Sequence, residues 1–214
     1  IMADVVVNPT FPESELERER KIALDDLAQE ESDPNALADR LAPMLAFGSD
    51  HPYGWPVHGL AAKVRTITRE DLVRFHATNW KPGGSALVLA GDITLDQAVS
   101  VARTAFGGWS GGAPPAVAIP EPRPVGPGRI YLVDRPESAQ TVIAEILPGP
   151  KRKVEDYYAF RLADAVWGGA FQSRLNLNLR EDKGYSYAVF SYARAHTAAG
   201  TWMAWGGVQT DKTA

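Results

Sequence analysis

Polar and apolar positions follow two periods along this chain, and the changes between them mark the elements. From Glu13 to Glu31 the residues are polar and rich in strong helix formers, with Leu16, Ala23 and Leu27 at helical spacing on one side. Thr10 with Glu13 matches a capping box, and Pro12 is tolerated at the start of a helix. Asp33-Pro34 then supplies a cap and a proline start for a second helix, which carries Leu37, Leu41 and Leu45 and stops at Gly48. SDHPYGWPVHG reads as a loop. Thr68 caps a short helix, REDLVRFHATN, and SALVLAGDI follows as a strand apolar enough to be buried on both faces. Thr94 caps LDQAVSVARTAF, which ends at Gly107-Gly108.

The pattern lapses between residues 107 and 128, where GGWSGGAPPAVAIPEPRPVGPG is too dense in Pro and Gly for a helix or a sheet interior and reads as an extended linker. Beyond it, IYLVD and QTVIAEILPG predict strands. DYYAFRLADAVW predicts a helix ahead of Gly168-Gly169, and a second helix runs from about Ser173 to Asp182. YSYAVFSYAR and AGTWMAWGGVQ predict a closing antiparallel pair joined around His196 to Ala199. The expected class is α+β, with domains at residues 1–107 and 129–214 and a linker at 108–128. No short-period repeat supports a solenoid.

Composition narrows the function classes. The 214 residues are 45% hydrophobic and 22% charged, ordinary for a globular chain with enough apolar material for a core. A net charge of −4 without a Lys/Arg cluster argues against nucleic acid as a partner. With no cysteine, neither a disulfide framework nor a thiolate metal site can form. No apolar run approaches the roughly 20 residues of a membrane span. Both ends are expected to be cuts through a longer protein. The expected compartment is a bacterial periplasm or envelope.

Candidate chemistry is sparse. Glu19 and Asp26 lie seven positions apart, two helical turns, and so share a face. They suit a metal ligand with its supporting carboxylate, or equally a solvated face with ion pairs such as Glu17–Lys21. The four histidines, His51, His58, His76 and His196, form none of the paired-imidazole zinc motifs. The Gly-Gly pairs carry no nucleotide fingerprint, and Ser173 reads as a helix cap. Arg180, Tyr185 and Tyr187 stand where a helix hands over to a strand. A guanidinium with a phenol suits gripping a carbonyl and stabilising an oxyanion, while the plainer alternative is a structural arginine beside core tyrosines.

Several stretches together resemble the pitrilysin/insulinase family of zinc metallopeptidases. They are NPTFPESELERER, DDLAQEESDP, HPYGWPVHG, ITREDLVRFHATNWKPGGSALVLAGDI, VDRPESAQTVI, VWGGAFQSRLNLNLREDKGYSYAVFS and GGVQTDKT, in order over the whole chain. The resemblance implies parts of two similar α/β repeats, each an antiparallel-rich sheet with helices packed on one side, joined by the Pro/Gly linker. It implies metalloendopeptidase activity on a peptide substrate in the whole protein, with zinc bound through an H-x-x-E-H motif that this chain lacks. By position, Asp26 takes the place of the family's glutamate ligand, one methylene shorter, and Glu19 that of its second-shell glutamate. Arg180 and Tyr187 match the family's substrate-binding pair, with Tyr185 in the same turn. The implied role is the half that contributes this pair and holds no zinc itself, working with a homologous half or chain that bears the motif. The alternatives are a catalytically inactive structural or partner subunit, or an active half in which Asp26 does ligate zinc.

Overall fold

Local signals start several of the helices. In a computed structural model of the chain, which describes residues 1–123 and 127–213, helix α1 spans Met2–Val7 and α2 spans Glu13–Ser32. Helix α3, Pro34–Phe47, starts under the Asp33 carboxylate, which accepts from the Asn35 amide at 2.8 Å, and ends at Gly48 with φ +83°. Helix α4 is the short turn Ala61–Val64, and α5 runs Arg69–Asn79 behind a complete Thr68–Asp71 capping box. Helix α6, Leu95–Phe106, has the same device in Thr94 and Gln97. The box expected of Thr10 and Glu13 does not form. Arg69 instead donates to the carbonyls of Phe11 (2.9 Å) and Thr10 (3.0 Å), which holds the chain ahead of α2.

The described residues divide into two compact units, Ile1–Asp25 with Ala61–Ala118, and Asp26–Leu60 with Ile119–Ala214. Residues 124–126 of the expected linker lie outside the described residues. In the first unit several side chains reach backbone carbonyls of distant segments. Arg20 donates to Ile67 at 2.6 Å and to Val64, and His76 Nε2 lies 2.8 Å from the Val6 carbonyl between Phe11 and Trp80. SALVLAGDI forms no strand here, contrary to its apolar run. Val88 is 86% exposed, with Leu87 and Leu89 also open to solvent. A strand exists only against a partner ladder, and no described segment of this unit pairs with it.

The second unit contains the buried apolar side chains found among the described residues: Leu27, Ala42, Phe47, Val189, Ala199, Met203 and Val208. Its strands are β1 (Gln140–Gly149), β2 (Ser186–Ala195) and β3 (Gly200–Gln209), antiparallel in the order β1-β3-β2. The closing hairpin is therefore as expected, and its second strand is the central one. IYLVD is not a strand; Ile130 and Leu132 are almost wholly exposed. Helix α7, Tyr157–Asp164, passes into a π turn, Ala165–Gly169. Helix α8 opens at Arg174–Asn176 under the buried Ser173 cap and widens into a second π segment, Leu177–Asp182.

Adjacent strand residues point to opposite faces, so two contacts on β2 mark the sides of this sheet. Ser191 Oγ donates to Asp164 of α7 at 2.6 Å, and the Tyr192 hydroxyl donates to Asp39 of α3 at 2.8 Å. The helices that precede β2 thus cover one face, and α3 lies against the other. The combination of helices with an antiparallel sheet is the α+β class expected.

Candidate functional site

The corner where α8 ends and β2 begins is built by three local features. The π segment widens the helix, so that the Lys183 amide bonds back to Asn178 (3.0 Å) and the Tyr185 amide to Leu179 (2.8 Å). Gly184, at φ +64°, then reverses the chain in a conformation that an L side chain rarely adopts. Strand β2 follows with a bulge between Ser186 and Val189. π turns and bulges both recur where a side chain must be re-aimed at a functional site.

Arg180 projects from the π segment over two aromatic rings. Its guanidinium carbon lies 4.6 Å from the centre of the Phe171 ring and 4.8 Å from that of Tyr187. Stacking of this kind holds the plane of the guanidinium and directs its N–H edge away from the rings. The neighbouring Glu181 carboxylate approaches Nε at 3.2 Å from an exposed position. Tyr187 is 79% exposed. Two of the three residues expected here, Arg180 and Tyr187, are therefore in contact. The third, Tyr185, is half-buried and its ring meets the Lys183 ammonium at 5.9 Å, away from the stack.

Phe171 is the member that sequence reasoning missed. It sits between Gly168-Gly169 and the Ser173 cap, outside any periodic pattern. The available signal was an aromatic residue one short helix away from the arginine. Its approach depends on the preceding turn. A Cβ on Gly168 would lie 2.6 Å from Ser191 Oγ and 2.7 Å from the Ser191 amide nitrogen, so only glycine lets this turn lie on β2.

The carboxylates expected to serve a metal are both on α2. Glu19 is exposed and paired with Arg18 at 2.6 Å, and Asp26 is exposed on the same helix. Among the described residues no group of three or more His, Cys, Asp or Glu is placed to hold a metal ion. Zinc requires about four ligands, three from protein in a catalytic site, so the described residues do not make up such a site by themselves. The histidines are otherwise engaged. Buried His51 accepts the Tyr53 amide on Nδ1 at 3.1 Å and reaches the Pro120 carbonyl through Nε2 at 3.0 Å, which assigns it a neutral tautomer. His58 pairs with Glu30, and His196 packs on Tyr53.

Residues 66–214 match the family described as "Peptidase M16 inactive domain". Among curated relatives, a protein of Mycobacterium bovis named as an uncharacterized zinc protease is 34% identical over 89% of this chain and 44% of its own length. A Streptomyces coelicolor protein of the same description is 27% identical over 97% of the chain and 46% of its own length. A solved peptidase M16 inactive domain from Pseudomonas fluorescens superposes with a TM-score of 0.85 at 28% identity, covering 97% of this chain and 50% of that one. The periplasmic protease PqqL of Escherichia coli shares the fold, with a TM-score of 0.69 at 13% identity over 98% of this chain and 24% of its own. The chain thus spans about half the length of the curated relatives it matches or less. Among the described residues no helix is long and apolar enough to cross a membrane.

Proposed function

The chain belongs to the peptidase M16 family, the pitrilysin/insulinase metallopeptidases, and on that premise we propose that it is the half of a zinc-dependent endopeptidase that grips the peptide and not the half that holds the metal. The observation that carries this reading is the approach of the Arg180 guanidinium to the rings of both Phe171 and Tyr187 where the helix ends. In it the guanidinium presents its N–H edge to a peptide carbonyl, and the exposed phenol supplies a second O–H donor. Donors already in place when substrate arrives stabilise developing negative charge most. Zinc, its histidines and the glutamate base are assigned to a homologous half or chain that bears H-x-x-E-H. The zinc-protease names of the relatives support peptidase chemistry at the level of the family.

The test uses the whole protein, or the chain combined with its H-x-x-E-H-bearing partner. Tyr187→Phe keeps the ring against Arg180 and removes only the hydroxyl. It is expected to lower kcat for peptide cleavage by ~10²–10³, the effect of losing one oxyanion donor, with an unchanged Tm. Arg180→Lys keeps the charge but loses the planar fork and should fall similarly. An unchanged kcat in Tyr187→Phe sinks the assignment.

A second reading is a partner subunit without catalysis, favoured by the match to a domain described as inactive. The two separate on mixing. In the first reading, activity of the H-x-x-E-H half depends on Arg180 and Tyr187 of this chain. In the second it depends on the chain but not on those side chains.

A further inference from the structure

Strand side chains alternate with a period of two. On β2, Val189 and Ser191 are buried, and counting back from Val189 in twos lands on Tyr187. An unbroken ladder would therefore turn Tyr187 into the core. Instead Tyr187 is exposed and Ser186 is the buried residue. The cause is the bulge. Ser186 pairs with Val208 and Val189 with Gly206, so that Tyr187 and Ala188 together face Gly207. One extra residue on β2 changes the parity and leaves the phenol on the open side, beside Arg180.

Two buried side chains hold that bulge. Ser186 Oγ donates to the Gly207 carbonyl at 2.6 Å, with the Ala188 carbonyl at 3.0 Å. Asn176 is 1% exposed, and its Oδ1 accepts the Val189 amide at 2.9 Å. A backbone N–H can pair only with the oxygen of a side-chain amide, which fixes the orientation of the group. Asn176 Nδ2 has no partner among the described residues. A buried donor without an acceptor is destabilising, and a leucine of similar size would avoid it, so the oxygen is what asparagine contributes here. Asn176 also sits immediately before the π segment that carries Arg180. Gly206 completes the arrangement: a Cβ there would lie 3.0 Å from the Ala188 carbonyl oxygen and 2.9 Å from Val189.

We propose that Asn176 is the positioning residue of the Arg180–Tyr187 site, pinning the bulge that turns Tyr187 outward and tying that strand to the segment bearing Arg180. The role rests on the functional reading above, whereas the geometric claim is tested without activity. The chain has no cysteine, so Tyr187→Cys in the whole protein places a thiol whose labelling rate, measured above the parent's background, reports which way residue 187 faces. The thiol should label as an exposed group. Asn176→Leu in the same background should slow labelling by ~10-fold or more as the strand returns to regular alternation. Asn176→Asp, which keeps an acceptor at the same place, should restore it. In the Tyr187 protein, Asn176→Leu should lower kcat by about 10² through misplacement alone, with a smaller change in KM, and Asn176→Asp should recover most of it.

Equal labelling in Asn176→Leu and its parent overturns the proposal, as does an Asn176→Asp variant as impaired as Asn176→Leu. If Asn176→Leu does not accumulate, Ser186→Ala, which frees the bulge from Gly207, decides by the same labelling. If Tyr187→Phe leaves kcat unchanged, the functional reading fails, and the labelling still decides whether Asn176 sets the direction of residue 187.

Discussion

Asp164 offers the sharpest test of how the corner is held to the sheet. It is the last residue of α7, 5% exposed, and one carboxylate oxygen accepts both Ser191 Oγ of β2 at 2.6 Å and Trp202 Nε1 of β3 at 2.7 Å. Two strands therefore hang on one acceptor. Asp164→Ala leaves the half-buried Trp202 N–H without its acceptor and Ser191 Oγ with only the Asp164 carbonyl at 3.5 Å, at roughly 1–3 kcal/mol each, for a total of about 2–6 kcal/mol. That is a large share of the roughly 5–15 kcal/mol that stabilises a typical domain. Asp164→Asn keeps a neutral oxygen in the same place and should cost about 1 kcal/mol, the difference between a charge-assisted bond and a neutral one. Ser191→Ala removes one donor together with its need. Its effect should shrink towards zero in the Asp164→Ala background, so the double-mutant cycle should show about 1 kcal/mol or more of coupling. Urea unfolding followed by both circular dichroism and tryptophan fluorescence measures the parent and all four variants, and Trp202 is itself a reporter. A cost below about 1 kcal/mol for Asp164→Ala, or an Asn variant as damaged as the Ala variant, would refute the shared-acceptor argument.

The turn after α7 makes a second prediction. Gly168→Ala places a methyl group 2.7 Å from the Ser191 backbone nitrogen, so it should cost about 1–3 kcal/mol as overpacking against a strand that cannot yield, read as a lower urea midpoint. A third concerns pH. The Tyr192 phenol is pushed up to about 12 from the ordinary 10.0, mainly by burial and then by its bond to Asp39. Because the folded value is raised, its contribution to stability is fully present below about pH 10 and is lost as pH rises towards about 12. Alkaline unfolding should therefore be steep over that interval in the parent and flatter in Tyr192→Phe. Curves of equal slope would remove Tyr192 from the account.

Several of these elements are legible in one dimension because their signals are local. The caps at Asp33, Thr68 and Thr94 each need only a short side chain two or three residues from an amide, and each forms. The proline start at Pro34 and the glycine stop at Gly48 are of the same kind. The Thr10 box satisfies the same rule and fails, because Arg69 of a distant helix takes hold of the chain there. SALVLAGDI and IYLVD fail for a related reason. Their composition suits a strand, yet a strand is a relation between two segments, and neither segment has a partner among the described residues.

The sequence by itself determined the α+β class, the capped helices, the closing hairpin and the membership of Arg180 and Tyr187 in one corner, since those two are separated by a single turn. Tertiary structure alone decided what the corner is made of. Phe171 enters the stack only because Gly168 lies flat on Ser191. Tyr187 faces outward only because an extra residue in β2 breaks the alternation, which a period-two reading assigns to the core. Asn176, anonymous in a polar helical run, meets Val189 only once the strand has folded back on it. Contacts between residues distant along the chain are set by sheet register and packing, and neither is written in any one segment.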